Sequence, residues 1–383
     1  MPTGNKGEWS ELYVLLKAIT DGYVYQSDSK LNKDLNNYYQ IVKGFKDELD
    51  YILEFEKNNK IEINKIKRNT NVNLKTYSLA EFTRITKVLF QGIKKGRGSS
   101  FGIHKLKDFF DDIELKKASA GATGKQDVKF RIYDHRLSIE SDLGFSIKSL
   151  IGKKSTLFNT GPGNNFIYNI SGGRPIEILP FNKKTYKGPR GKSKLTYRIE
   201  ELEKKGFEFD FFKIQSAQLA MNLKMIDGDL PKIIARMLYL RWKYSIKKLS
   251  KVVDKLEEID PLDFYDSYSG KQKLYKYKVI RFLTEAAMGM TSETPWHGEY
   301  EKFGGVIFVK NDGEILCFHI YDINTLRDYL YRNTFFEQAA TGESSDVPGT
   351  ISESSTKNYN YGWLYKDNED LKFKINLQVR FNN

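Results

Sequence analysis

The sequence predicts an α/β (α+β) fold, and three of its features carry this prediction. Apolar residues recur at helical spacing over residues 7–19. Two runs that alternate apolar and polar residues, 125–133 and 144–149, flank a polar turn and indicate neighbouring strands. Residues 304–321 contain two more such runs, and Asn311-Asp312-Gly313 between them is typical of a hairpin. Helices and strands therefore mix along the chain, and the C-terminal part is predicted to be rich in β-structure.

The remaining elements follow from the same two patterns and from turn residues. Helical spacing predicts further helices at 35–56, 78–93, 106–117, 215–245, 249–259, 274–288 and 325–332. Ser78 and Glu81 add a capping box to the second of these, and Asp227-Gly228-Asp229 breaks the fourth. Hairpins are predicted at 58–73 and 362–381.

The net charge points to a polyanionic partner. The 383 residues include 62 Lys and Arg against 49 Asp and Glu, a formal net charge of +13. Such a charge attracts a phosphate backbone, and a basic protein without a nucleic-acid partner is the alternative. Cys317 is the only cysteine, which excludes an intramolecular disulfide and a zinc site built of several cysteines. No apolar run reaches the ~20 residues of a membrane span, so no membrane partner is expected and a cytoplasmic location is predicted.

Asp127, which opens the first alternating run, and Lys148, which closes the second, are the candidates for catalysis. Phosphodiester hydrolysis needs a metal that neutralises the phosphate and activates water. Mg²⁺ prefers oxygen ligands, such as a carboxylate and a backbone carbonyl, here that of Ile147. Because side chains alternate along a strand, Ser146 and Lys148 face the same way. The arrangement resembles the PD-(D/E)xK nuclease signature, with Ser146 where that signature usually has an acid.

Four segments resemble the HpaII-type family of type II restriction endonucleases. They are Asn5-Lys6-Gly7-Glu8-Trp9-Ser10-Glu11-Leu12, Gly144-Phe145-Ser146-Ile147-Lys148-Ser149, Asn333-Thr334-x-Phe336-Glu337 and Asn376-Leu377-Gln378-Val379-Arg380-Phe381. They come in the family's order and span residues 5–381. The resemblance implies a restriction-endonuclease-like mixed central sheet flanked by helices. It also implies a prokaryotic cytoplasmic enzyme that cuts double-stranded DNA at a short palindrome, with CCGG as the first candidate.

The resemblance assigns Asp127 as a metal ligand and Lys148 as the catalytic lysine, with Mg²⁺ as cofactor and Mn²⁺ as a substitute. Ser146 departs from the superfamily pattern, so a second acid must come from elsewhere. Glu11 and Glu8 on the first helix are the preferred candidates, as catalytic residues and as metal ligands. Their alternative role is that of first-turn glutamates, which the helix dipole favours. Glu140, in the turn region between the two runs, is the weaker candidate.

Recognition of a DNA sequence requires hydrogen-bonding side chains at base edges, and binding of the backbone requires basic ones. The candidates for base contacts are Lys153, Asn164, Asn165, Arg332, Asn333, Glu337 and Gln338. The candidates for phosphate contacts are Lys372, Lys374 and Arg380.

Residues 1–180 are predicted to form the catalytic nuclease core. Residues 181–383 are predicted to form a helical and β-rich region for DNA recognition and dimerisation, or one continuous domain with the core. The resemblance implies a homodimer on DNA and in-line attack by water that leaves 5′-phosphate ends. The alternatives are a structure-specific or repair nuclease of the same superfamily and a catalytically inactive DNA-binding protein.

Overall fold

The structure of the chain is a computed structural model. It describes residues 1–68, 70–119, 126–152, 155–159, 161–184, 193–265, 270, 272–300, 302–337 and 362–381. Within these residues the chain has a mixed α/β fold with ten α-helices and sixteen strands. The broad fold class predicted from the sequence is therefore confirmed.

The helices are α1 (Lys6–Asp21), α2 (Leu79–Lys95), α3 (Lys107–Asp112), α4 (Ile178–Lys183), α5 (Lys194–Lys204), α6 (Ala217–Ile226), α7 (Leu230–Lys243), α8 (Leu249–Ile259), α9 (Leu274–Ala287) and α10 (Ile323–Asn333). The strands are β1 (Tyr23–Ser27), β2 (Lys33–Asp47), β3 (Ile52–Lys57), β4 (Ile61–Lys67), β5 (Thr70–Tyr77), β6 (Val128–Asp134), β7 (Ile139–Ser149), β8 (Ser155–Phe158), β9 (Asn165–Gly172), β10 (Phe207–Ile214), β11 (Phe303–Val309), β12 (Ile315–His319), β13 (Thr334–Phe336), β14 (Leu364–Asp367), β15 (Asp370–Asn376) and β16 (Val379–Phe381).

The largest sheet is a mixed sheet of nine strands that closes on itself in part. Its order is β1-β12-β11-β7-β6-β2-β3-β4-β5, and β1 also pairs with β2. This extra pairing closes six strands into a barrel-like ring, from which β3, β4 and β5 extend. The β11–β7 and β1–β12 pairs are parallel, and the other pairs of this sheet are antiparallel. β7 therefore lies between β6 and β11, strands that are far apart in the sequence.

Helix α1 packs directly against this sheet and is buried on most of its surface. A side chain at Gly44 of β2 could not fit, because its Cβ would lie 2.5 Å from Leu15 Cδ1. Tyr13 Oη donates a hydrogen bond of 2.6 Å to the carbonyl oxygen of Gly313 in the β11–β12 turn. Ser10 Oγ donates one of 2.8 Å to Ser149 Oγ at the end of β7. The N-terminal half of α1 is thereby held at the end of β7.

A second core lies among α5 to α10 and two smaller sheets. The order of one sheet is β10-β9-β15-β14, and that of the other is β13-β16-β8. Strands from both sides of residue 180 share the nine-stranded sheet. The division of the chain into two domains at that residue stays a prediction. No helix in the described part of the chain is long and apolar enough to cross a membrane.

The helix predicted at 35–56 is wrong, since these residues form most of β2 and β3. A bulge in β2 shifts its pairing with β6 between Ile41 and Lys43. Ile41 opposes Ile132, and Phe45 opposes Lys129, which faces the other side of the sheet. Leu49 lies in the turn after β2 and is 77% exposed. The apolar residues with helix-like spacing therefore do not share one buried face. The predicted strands at 125–133 and 144–149 are confirmed as the antiparallel pair of β6 and β7.

His319, at the end of β12, is fully buried inside the fold. Its ring stacks on Tyr39 with the centroids 3.9 Å apart. Its Nδ1 lies 3.0 Å from Arg136 Nη2, which can only donate, so Nδ1 accepts and the proton belongs on Nε2. Burial, assisted by the positive charge of Arg136, lowers the pKa of His319 to about 3. The imidazole therefore stays neutral in the folded protein at neutral and mildly acidic pH.

We expect this histidine to make folding stability fall with acidity. In the unfolded chain its pKa is near the ordinary histidine value of 6.5, so only the unfolded state gains the proton between pH 6.5 and 3. The free energy of unfolding should decrease by about 2 kcal/mol on this account between pH 7 and pH 5. Urea unfolding of the wild type and of His319→Gln at both pH values measures this contribution, with the exposed His297→Gln as control. An equal decrease in all three proteins would contradict the assignment to His319.

Candidate active site

Asp127 lies immediately before β6, and its carboxylate bonds to the neighbouring strand β7. Its backbone N–H donates a hydrogen bond of 2.9 Å to the carbonyl oxygen of Phe145, the last backbone contact of this kind along β6. Its Oδ2 then accepts hydrogen bonds from the Ile147 amide at 2.6 Å and from Ser146 Oγ at 3.2 Å. The carboxylate thus takes the place of a backbone carbonyl. It continues the hydrogen bonding to β7 past the first residue of β6.

The backbone carbonyl of Ile147 points to the same place. In an antiparallel pair, a residue exchanges both its N–H and its C=O with the same neighbouring strand. Since the Ile147 amide bonds to Asp127, its carbonyl oxygen also faces the side on which β6 has ended. A carboxylate and a carbonyl oxygen, the kinds of ligand that Mg²⁺ prefers, are therefore brought to one end of the sheet.

Lys148 follows Ile147 and faces the same side of β7 as Ser146. Its register partner on β11 is Phe308, and that of Ser146 is Val306. Both partners are fully buried apolar residues. Lys148 itself is half-buried, and it forms no hydrogen bond or ion pair with any residue that the structure describes. The Lys148 side chain therefore leaves β7 on the same face as Ser146, next to two apolar residues of β11.

The carboxylate of Glu8 closes the N-terminus of α1. Its Oε2 accepts a hydrogen bond of 2.7 Å from the backbone amide of Asn5. Asn5 Oδ1 in turn accepts from the amides of Gly7 at 2.7 Å and Glu8 at 3.1 Å, which completes a capping box. This arrangement matches the role of a first-turn glutamate, and the prediction that Glu8 acts in catalysis stays a prediction.

Glu11 lies one residue beyond the Ser10–Ser149 contact, at the end of β7. Its carboxylate attracts the ammonium group of Lys46, which lies near the end of β2. Burial lowers the pKa of Lys46, and the carboxylates of Glu48 and Glu11 oppose this effect. Glu11 is therefore the acid of α1 that belongs to a charged cluster at this end of the sheet.

Glu140, the weaker candidate for the second acid, lies near the opposite end of β7. It opposes Tyr133 in the β6–β7 pair, six residues before Ser146 on the strand. Its carboxylate is exposed and lies 3.8 Å from Arg131 Nε.

No group of three or more His, Cys, Asp or Glu side chains is gathered for a metal among the residues described. Mg²⁺ usually keeps several water molecules, so the two oxygens of Asp127 and Ile147 fit it without such a group.

Comparison with known proteins decides the family of this chain. The family model for the HpaII restriction endonuclease matches residues 5–381. The chain belongs to the HpaII restriction endonuclease family. A curated relative, the type II restriction enzyme HpaII of Haemophilus parainfluenzae, is 33% identical over 380 residues, which are 99% of this chain and 98% of the relative. No solved structure matches. The predicted family and enzyme class, a type II restriction endonuclease, are confirmed.

A cleft of about 480 Å³ in this restriction endonuclease adjoins the candidate site. Gly144 in its wall lies two residues before Ser146 on β7, so both face the same side of the sheet. The side chain of Gln126 lies over Gly144, where a Cβ would be only 1.6 Å from Gln126 Oε1. The lining also includes two lysines, two acids and three aromatic side chains: Lys129, Lys302, Asp142, Glu299, Trp296, Tyr300 and Phe303. No sequence pattern indicates this cleft, because its walls come from two regions, 126–144 and 288–303, that are far apart in the chain.

The late candidates for base contacts lie where α10 ends and β13 begins. Arg332 is exposed, and its Nε donates to Asp328 Oδ1 at 2.7 Å. Asn333 Nδ2 donates to the carbonyl oxygen of Tyr329 at 2.9 Å. Glu337 lies near Arg241, whose pKa burial lowers to about 10 while the Glu337 carboxylate opposes the shift. Lys153 and Gln338 lie outside the described residues. For these five residues, described or not, a role in base recognition stays a prediction.

Asn164 and Asn165, by contrast, are buried and bonded within the protein. Asn164 Nδ2 donates to the carbonyl oxygen of Asn159 at 2.5 Å. Asn165 Nδ2 donates to Gln215 Oε1 at 3.1 Å, and Asn165 Oδ1 accepts from Asn376 Nδ2 at 2.8 Å. A contact with a base edge would require these hydrogen bonds to break.

The candidates for phosphate contacts differ in how accessible they are. Lys372 is buried, and its Nζ donates to Asn169 Oδ1 at 2.5 Å and to Asp370 Oδ2 at 3.0 Å. The ammonium group of Lys374 lies 5.0 Å from the centroid of the Tyr365 ring. Arg380 is partly buried, between β8 and β13. Lys372 therefore has the least freedom to reach a DNA backbone.

We expect the two glutamates of α1 to differ when each loses its charge. Glu8→Gln should cleave DNA like the wild type, because glutamine also accepts the hydrogen bond of a capping box. Glu11→Gln should cleave roughly 10- to 100-fold more slowly, the usual effect of disturbing the surroundings of a metal. Single-turnover rates with Mg²⁺ measure both. If neither variant slows cleavage, the second acid lies elsewhere in the chain.

Proposed function

We propose that this restriction endonuclease hydrolyses double-stranded DNA at a short palindromic sequence in a Mg²⁺-dependent reaction, with CCGG as the first candidate. The observation that supports the proposal is that Asp127 Oδ2 accepts hydrogen bonds from Ser146 Oγ and from the Ile147 amide, directly before Lys148 on β7. The printed name of the relative, a type II restriction enzyme, supports the substrate class. The products would be fragments with 5′-phosphate and 3′-hydroxyl ends.

Each residue of this group has a distinct role in the proposal. Asp127 and the carbonyl of Ile147 would hold the ion, and Mn²⁺ could take its place. When bound, Mg²⁺ supplies neutralisation of the phosphate charge and activation of a water molecule. Lys148 Nζ stabilises the negative charge that develops on the phosphate or orients the attacking water. Ser146 fixes the Asp127 carboxylate through its hydrogen bond, in the position where the PD-(D/E)xK signature usually has an acid.

The second acid in this proposal is Glu11. The hydrogen bond between Ser10 and Ser149 holds this part of α1 at the end of β7, which supports the assignment. Glu8 is the alternative, but its carboxylate would first have to leave the capping box with Asn5. The restriction-endonuclease-like identity of the core belongs to the same proposal. It is supported by a mixed sheet that carries the catalytic group and by helices packed against it.

The cleft at Gln126 would receive the DNA next to the scissile phosphate. Its basic groups, Lys129 and Lys302, suit phosphates or guanine edges, and Tyr300 offers an aromatic surface. A palindrome is read by two copies related by a two-fold axis. We therefore propose a homodimer on DNA, in the cytoplasm of a prokaryotic cell.

Lys148→Ala should separate binding of DNA from its cleavage. We expect this variant to bind specific duplex DNA in Ca²⁺ with wild-type affinity, because Lys148 acts on the transition state rather than on docking. With Mg²⁺ it should cleave at least roughly 100-fold more slowly, the loss expected for one preorganised charge at a developing anion. Lys251→Ala, which changes an exposed lysine of α8, is the control and should cleave normally. Full cleavage by Lys148→Ala would refute the catalytic assignment.

Digestion of plasmid DNA of known sequence tests the rest of the proposal. We expect discrete fragments, because specific base contacts discriminate strongly between sites. Sequencing of the ends should give a CCGG site, and the fragments should ligate without prior phosphorylation. A structure-specific nuclease would instead cut branched DNA and leave the linear duplex intact. An inactive DNA-binding protein would give no products with either Mg²⁺ or Mn²⁺.

A further inference from the structure

A buried ion pair lies close to the candidate active site and has no part in the function proposed so far. Lys46 Nζ and Glu48 Oε1 are 3.1 Å apart, and the two side chains are only 3% and 0% exposed. Removing two charges from water is costly, and well-packed apolar residues often stabilise a fold as much or more. Stability alone therefore does not explain why this pair occupies the end of β2.

The pair holds residues 116–119, which come before Asp127 in the chain. Lys46 Nζ donates a hydrogen bond of 2.7 Å to the carbonyl oxygen of Ser119. Glu48 Oε1 accepts one of 3.3 Å from the backbone amide of Lys116. These two residues come eight and eleven positions before Asp127. Both partners of the ion pair thus tie this segment to the sheet.

The end of β2 is also next to Asp127 in the sheet. Phe45 of β2 opposes Lys129 of β6 in an antiparallel pair. Each step forward along β2 is a step back along β6, so Lys46 lies across from Val128, the residue after Asp127. Lys46 is therefore close to the point at which the chain enters the candidate site.

The Glu48 carboxylate uses only one of its oxygens. Its Oε1 contacts Lys46 Nζ and the Lys116 amide, whereas its Oε2 is buried with no hydrogen-bond partner among the residues described. A buried polar atom without a partner in a native protein calls for a functional or structural reason. Here Oε1 orients the Lys46 ammonium group, which in turn bonds to the carbonyl oxygen of Ser119.

We propose that Lys46 and Glu48 are positioning residues for DNA cleavage. The pair anchors residues 116–119 to the end of β2, at the position that lies across from Val128, and it thereby fixes the backbone next to Asp127, the proposed metal ligand. Neither residue touches the DNA or the reacting atoms. The inference rests on the proposed function, because it assumes metal-dependent cleavage by the group around Asp127.

Lys46→Met tests this role, since it keeps the length of the side chain and removes the charge. The Mg²⁺ concentration that gives half-maximal cleavage should rise roughly 10- to 100-fold, as for other residues that orient metal ligands. Binding of Mn²⁺ to the enzyme–DNA complex, measured by electron paramagnetic resonance of the free ion, should weaken by a similar factor. Lys46→Arg should restore much of both. Affinity for specific DNA in Ca²⁺ should change by less than about 2-fold, because Lys46 lies too deep to reach a phosphate.

Lys43→Met is the matched control on the same strand. Lys43 also pairs with acids, Glu54 at 3.2 Å and Glu56 at 3.0 Å, but it opposes Arg131, farther from Asp127. This variant should keep the wild-type Mg²⁺ dependence even if its melting temperature falls. All rates are compared at a temperature at which circular dichroism shows every variant folded. If Lys46→Met does not fold, Glu48→Gln, which keeps the shape of the side chain, takes its place with the same expectation.

Two outcomes would overturn the inference. One is a wild-type Mg²⁺ dependence and Mn²⁺ affinity in Lys46→Met or Glu48→Gln with only a lower melting temperature, which would make the pair purely structural. The other is an equal rise in Mg²⁺ requirement for Lys43→Met, which would make the effect a general loss of stability in β2. Absence of cleavage by the wild-type enzyme would be a different result, because it would refute the proposed function itself.

Discussion

The hydrogen bonds that Asp127 Oδ2 accepts from β7 determine where the candidate site lies. The strand β6 begins just after Asp127, so the Ile147 amide has no backbone carbonyl of β6 to bond to. A buried backbone donor must find a partner, and the carboxylate supplies it. The same geometry turns the Ile147 carbonyl to the side of β7 on which Asp127 lies. Both oxygens thus lie on one side of β7 through a requirement of the backbone, and β11 holds β7 from its other side.

Most of this local arrangement could be predicted from the sequence, and the path of β2 could not. The alternation of apolar and polar residues indicated β6 and β7 together with the facing of Ser146 and Lys148. In β2 a bulge shifts the pairing with β6 after Ile41, and Ile41 and Phe45 face opposite sides of the sheet, so their helix-like spacing marks no single buried face. A bulge depends on the partner strand, here β6, and no local pattern records it. The nine-stranded sheet was therefore larger than the sequence indicated.

Whether the role of a polar candidate could be predicted depends on whether its hydrogen-bond partners are near to it or distant from it in the sequence. The capping role of Glu8 was open to prediction, because Asn5 and Glu8 stand three residues apart in the order that caps a helix. The burial of Asn165 was not, because its partners Gln215 and Asn376 come from remote parts of the chain. The cleft at Gln126 is of the second kind as well. A sequence pattern can therefore predict a hydrogen bond within one helix or turn. A hydrogen bond between distant parts of the chain can be seen only in the three-dimensional structure.

The rigid seating of α1 explains how a helix can supply an acid that the strand lacks. With Ser146 in place of an acid, β7 contributes no carboxylate next to Lys148. A carboxylate on an exposed helix would be a poor substitute, since metal ligands must be held in place by their surroundings. Helix α1 is instead buried and is attached to β7 by Ser10, to the β11–β12 turn by Tyr13 and to β2 at Gly44. Glu11, the acid that we propose for this role, is therefore carried by a buried helix that is bonded directly to β7.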